Sequence, residues 1–142
     1  MALYSEIQFG AAAAIPTGGL ADVVGASMVV RVEEEAMLLR LSFNGTVLAT
    51  GAGLLDVGFT VDTVALPLLS AAHTTAIGRA HLHVEATLEL AKGEHVVRLQ
   101  MNDAATGTTI DGGVYKSVFS ATRVSSDATL GQGVNSKVQL SL

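Results

Sequence analysis

His81-Leu82-His83, followed by Glu85, is the stretch whose residue types and spacing could hold a metal ion. In an extended strand residues i, i+2 and i+4 project from one side, so both imidazoles and the carboxylate share a face. Strand-borne zinc sites begin this way. His73 and His95 are the other histidines, and either could join only through tertiary folding. Asp103 and Asp111 flank a loop that could take calcium, but the spacing matches no known calcium loop, and Asp in a turn is explained by local hydrogen bonding. The chain has no Gly-x-Ser-x-Gly, no phosphate-cradling glycine loop after a strand, no His-Glu-x-x-His and no cysteine. The expectation is a protein that is not an enzyme and binds no metal or cofactor. His81, His83 and Glu85 then belong to a polar outer face or a subunit contact.

The element that must carry these residues alternates strictly. Leu82, Val84, Ala86, Leu88 and Leu90 are apolar, with His81, His83, Glu85, Thr87 and Glu89 between them. That is the period of a strand with one wet face. Lys92-Gly93-Glu94 is expected to turn the chain into a second strand over 95–102, and a loop over 103–113 leads to a third over 114–124. In that third strand Tyr115, Phe119, Ala121 and Arg123 are read on one face.

Upstream, 3–9 reads as a short strand, and Ala11–Ile15 has helix propensity but is too short to hold alone before Pro16. Ser27–Glu33 and Met37–Phe43 alternate on either side of Glu33-Glu34-Glu35, which reads as a solvated turn in preference to a cation site. Asn44-Gly45 is the strongest hairpin signal and predicts a type I′ turn. Leu55–Thr63 alternates again, Pro67 marks an edge or connection, and 125–136 is polar and glycine-rich before a closing strand at 138–142. Eight or nine short strands with no long helix predict an all-β fold, an antiparallel jelly-roll sandwich or barrel with an extended N-terminal arm. The expected organisation is a strand and arm over 1–26, the jelly-roll domain over 27–124, and a tail with a short strand over 125–142.

Composition narrows the partners. The chain has 142 residues, a formal net charge of −5 and only 15% charged residues. Basic residues are scattered singly, so a nucleic-acid backbone is not an expected partner. Met1–Phe9 lacks the basic start of a signal peptide, and no apolar run approaches a membrane span, so synthesis in the cytoplasm and no membrane partner are expected. Few charges and many small apolar residues point toward self-association or docking on a larger assembly. The aromatic face of Tyr115 and Phe119, interleaved with Ser117 and Arg123, is the expected subunit interface.

Two resemblances bear on function. His81-x-His83 is similar to the His-x-His of cupins, themselves jelly rolls. Their carboxylate falls four or five residues after the second histidine, at Thr87 or Leu88 here, where neither side chain can ligate, and their downstream motif with a third histidine is absent. Separately, Gly93-Glu-His-Val-Val-Arg98-Leu99-Gln-Met101, a glycine-containing loop, and Ser117-Val-Phe119-Ser-Ala-Thr122-Arg123-Val124 resemble the closing hairpin of jelly rolls of the tumour-necrosis-factor and complement-globular-head type. The versions found in bacteriophage virion proteins are the most similar. That resemblance implies a homotrimer and a structural role in the virion: a decoration protein on the capsid surface, with the major capsid protein as partner and an arm or tail bridging to neighbours. A receptor-binding or adhesin module of a phage fibre, using loop 103–113, is the alternative; a cupin-like metal protein is another.

Overall fold

The structure, a computed structural model, describes residues 4–62, 64–65, 71–124 and 138–141. It is an all-β antiparallel sandwich, consistent with the jelly-roll expectation, and among the described residues its sheet does not close into a barrel. The strands are β1 (Tyr4–Gln8), β2 (Ala13–Ala14), β3 (Ala21–Ala49), β4 (Gly53–Val61), β5 (Val64–Ala65), β6 (Ala71–Thr75), β7 (Gly78–Asp103), β8 (Thr109–Ile110), β9 (Val118–Arg123) and β10 (Val138–Ser141). No helix occurs among the described residues, and Ala11–Ile15 contributes only the two residues of β2.

The expected short strands merge into two long ones. β3 is 29 residues and β7 is 26, and they pair with each other along nearly their whole length. The register shifts between Val32 and Ala36, where Glu33, Glu34 and Glu35 of β3 stand opposite Lys92 of β7. This β-bulge bends both strands, as extra residues on one strand do. On one side of the bend, β3 continues to β9 and then β1, while β7 pairs with β10. On the other side, β7 pairs with β4, which pairs with β5 and β6. The two halves of one bent ribbon therefore supply the two layers.

Three expected turns are corrected here. Glu33–Glu35 is a bulge, and Lys92-Gly93-Glu94 is a bend within β7, with Gly93 at φ 132°. Asn44 and Gly45 lie inside β3, paired with His83 and Leu82. Gly45 serves close approach instead of a turn: a Cβ there would sit 2.5 Å from the Cβ of Ser117.

The core follows from the alternation. Leu39, Leu41, Phe43 and Val47 of β3, Val84 and Ala86 of β7, and Leu55, Val57 and Phe59 of β4 are all essentially inaccessible. Phe9 packs edge-on against Phe43 with ring centres 6.3 Å apart. The expected N-terminal arm, 1–26, is in its described part built into the fold. β1 pairs with β9, β2 with β8, Phe9 and Ile15 are buried, and β3 already begins at Ala21. Alternating Ile7 and Phe9 give this segment an inner face to bury, which a free arm would leave in water. The expected connection at Pro67 and the stretch 125–136 lie outside the described residues.

Candidate functional site

β7 carries His81, His83 and Glu85 on its outward face, opposite Thr46, Asn44 and Ser42 of β3, because Leu82, Val84 and Ala86 take the inward positions. His83 Nε2 lies 3.3 Å from Glu85 Oε2. The facing β3 residues offer hydroxyls and an amide, and Ser42 Oγ is 2.8 Å from Ser120 Oγ of β9. Among the described residues, no three His, Asp or Glu side chains gather as metal ligands. His95 stands beyond the bend of β7, bonded elsewhere, and the side chain of His73 is outside what the structure describes.

Loop 103–113 is folded inward in part, with Ala104, Thr106, Gly107 and Gly113 exposed. Asp103, Thr108, Ile110 and Asp111 are buried. Asp103 Oδ1 accepts the Ala105 N–H at 2.9 Å, an Asx-type turn, and its backbone N–H donates to Pro16 O at 3.0 Å. Its other carboxylate oxygen is buried without a hydrogen-bond partner. Asp111 instead accepts from Arg79 Nε at 3.0 Å. The two aspartates thus fasten different parts of the loop.

The three expected interface residues separate. Phe119 is inaccessible, its ring stacked 5.9 Å from that of Phe59. It is a core residue and not a contact residue, because β9 turns Phe119 and Ala121 inward between the two layers. Arg123 is one-fifth exposed and pairs with Glu34 of the bulge. Tyr115 is not on a strand, since β9 starts at Val118, and it remains 47% exposed.

Tyr115 is nevertheless held in place. The Arg79 guanidinium lies 4.3 Å from the centre of its ring, a cation–π contact, while Arg79 is anchored from the other side by buried Asp111. The loop that bears Tyr115 is pinned at both ends. Asp111 N–H donates to Thr46 O at 2.8 Å, Gly113 N–H to Phe9 O at 2.9 Å, and Phe9 N–H to Ser117 O at 2.9 Å. Thr46 N–H donates to the buried Ser117 hydroxyl at 3.1 Å. Gly112 is required by crowding, since a Cβ there would meet Phe9 O at 2.6 Å. Val114, beside Tyr115, is 92% exposed, and Ile77, two residues before Arg79, is 75% exposed. An Asp111–Arg79–Tyr115 column with exposed apolar neighbours can dock on a surface. Sequence reading missed Arg79 and Asp111 as partners because 32 residues separate them.

A shallow groove elsewhere, lined by Arg31, Val32, Glu33, Lys92, Gly93 and Glu94, runs over the bend. Arg31 and Glu94 pair with each other across it.

Compared with known proteins, the chain matches no family model and no curated protein. Among solved structures it is similar to a Podospora anserina GH26-CBM35 beta-(1,4)-mannanase, at 13% identity and a TM-score of 0.44, over 88% of this chain and 28% of that one.

Proposed function

We propose that this protein is a structural component of a virion: a capsid decoration protein that sits as a homotrimer on the outer shell, bound to the major capsid protein. The observation that supports this reading is Tyr115, exposed yet fixed on Arg79. Tyr and Arg are the residue types that dominate protein interfaces, and a side chain already held in place loses little freedom on docking. Two polar groups of the candidate loop, Asp103 and Asp111, are used inside the fold. In loop 103–113, the candidate adhesin surface, Asp103, Thr108, Ile110 and Asp111 are buried while Ala104, Thr106, Gly107 and Gly113 are exposed, and the candidate metal ligands His81, His83 and Glu85 lie along a single strand.

Purified protein mixed with undecorated capsids should bind saturably at lattice points, and Tyr115→Ala should reduce occupancy while leaving the fold intact. Binding at undiminished occupancy by the variant would remove Tyr115 from the contact. A failure of the wild-type protein to bind any shell, with binding to host surface material instead, would favour the fibre-module alternative.

A further inference from the structure

His95 stands where β7 passes from one half of the sandwich to the other. Ala91 is the last β7 residue paired before the register shift, opposite Ala36, and Gly93 is the first paired after it, opposite Val32. His95 Nε2 lies 2.7 Å from Ala91 O, so the ring spans the bend in its own strand. Nδ1 lies 2.6 Å from Oδ2 of Asp62, the residue that follows β4. A peptide carbonyl and a carboxylate only accept hydrogen bonds, and neutral imidazole has a single N–H. Both bonds are made only by the doubly protonated ring.

Asp62 is itself tightly placed. Its φ of 53° lies in the left-handed region, its N–H donates to Val96 O at 2.8 Å, and its Oδ1 accepts the Val96 N–H at 2.8 Å. We infer that His95, carrying both ring protons, is a pH-sensitive clip that fastens the end of β4 to the bend of β7 and lets that corner loosen when one proton leaves.

The charges around the ring agree with this. Burial by itself lowers the His95 pKa, but the bonds to Ala91 O and Asp62, with the Asp62 charge, outweigh it and leave the group above the ordinary value of 6.5. The bond from His95 and that from the Val96 N–H hold Asp62 below the ordinary 3.8, helped by Arg98. Arg98 of β7 in turn lies 3.8 Å from Asp22 of β3. Glu94 of β7 is paired with Arg31 of β3, Glu34 of the bulge with Arg123 of β9, and Lys92 is exposed. A raised histidine stabilises fully below 6.5, and that contribution disappears as pH rises through the folded value. A depressed aspartate contributes above 3.8 and is lost on acidification. The clip is complete between these limits and opens on the alkaline side.

Long-range proton–nitrogen NMR of the full chain tests this. The expected result is an imidazole protonated on both nitrogens at pH 6.5, titrating above the ordinary histidine value. Asp62→Asn, which keeps an acceptor and tolerates the left-handed backbone, should lower that midpoint. Hydrogen exchange at the Val96 amide should be slower in wild type than in His95→Gln, by a factor of roughly ten for each pH unit that separates the His95 midpoint from the ordinary histidine value, with the difference vanishing as pH rises through the midpoint. A ring carrying one proton at pH 6.5, a midpoint unmoved by Asp62→Asn, or a Val96 difference independent of pH would overturn the inference. If His95→Gln fails to fold, the midpoint and its response to Asp62→Asn decide.

Discussion

The rings of Phe59 and Phe119 lie 5.9 Å apart and only 16° from parallel, joining β4 in one layer to β9 in the other. Both are essentially inaccessible. Phe119→Ala removes this bridge and leaves a cavity between the layers, so unfolding should become easier by about 3–5 kcal/mol. Urea denaturation followed by far-ultraviolet circular dichroism measures it. A stable fold that merely fails to associate would return Phe119 to the interface role that its sequence neighbours suggested.

Gly45 carries a second expectation. Alanine there collides with Ser117, whose hydroxyl takes the Thr46 N–H. Gly45→Ala should cost about 1–3 kcal/mol by overpacking. Adding Ser117→Gly should recover part of the loss, since the two nearest colliding atoms are gone, while the Cα of residue 117 stays 2.9 Å from the added Cβ and Thr46 loses its acceptor. If Gly45→Ala is neutral, the strand accommodates a side chain and the close approach has no energetic weight.

Both residues mark where the sequence is legible and where it is not. Alternation from Leu82 to Leu90 announces a strand with one buried face, and the structure places those residues so. Alternation does not tell a turn from a bend, because Lys92-Gly93-Glu94 and Glu33–Glu35 have turn composition whichever occurs. Asn44-Gly45 illustrates the same ambiguity: glycine is selected by a positive φ or by a crowding neighbour, and Ser117 is too distant in sequence to reveal the second. Tyr115 and Phe119 look alike in the sequence because the extended pattern runs from Val114, whereas the strand itself starts at Val118. His95 with Asp62, and Arg79 with Asp111, become pairs only after folding.

Arg79→Ala should act on two things at once. Removing the guanidinium leaves the buried Asp111 carboxylate without that partner, a loss of about 1.5–3 kcal/mol for a hydrogen bond to a charged group, reduced by the half-exposure of Arg79. It also frees the Tyr115 ring, which near-ultraviolet circular dichroism should register as a weakened tyrosine band. An unchanged band with unchanged stability would show that the column is not held through Arg79.

Deleting residues 1–9 should unfold the protein, or lower its stability by several kcal/mol, since the cut removes Phe9 from the core and β1 from the edge of β9. Thermal denaturation of the truncated chain measures this. A truncated protein as stable as the full chain, defective only in attachment, would restore the arm that the sequence suggested.

The long pairing of β3 with β7 has a consequence for how the chain reaches this structure. Ala49 meets Gly78 across the intervening β4–β6 segment, whereas Ala21 must find Met101 from a far greater distance along the chain. Closing the shorter loop first costs less entropy, so zipping is favoured from the Ala49–Gly78 end toward the bulge, with the Ala21 end last. A topology so dominated by non-local contacts places the protein among slow folders, on the scale of milliseconds to seconds. Until the ribbon has zipped past Glu33–Glu35 and bent, its newly formed apolar face has no second layer to cover it. During that interval the growing polypeptide is most exposed to aggregation, and the three glutamates at the bend supply like-charge repulsion between chains there.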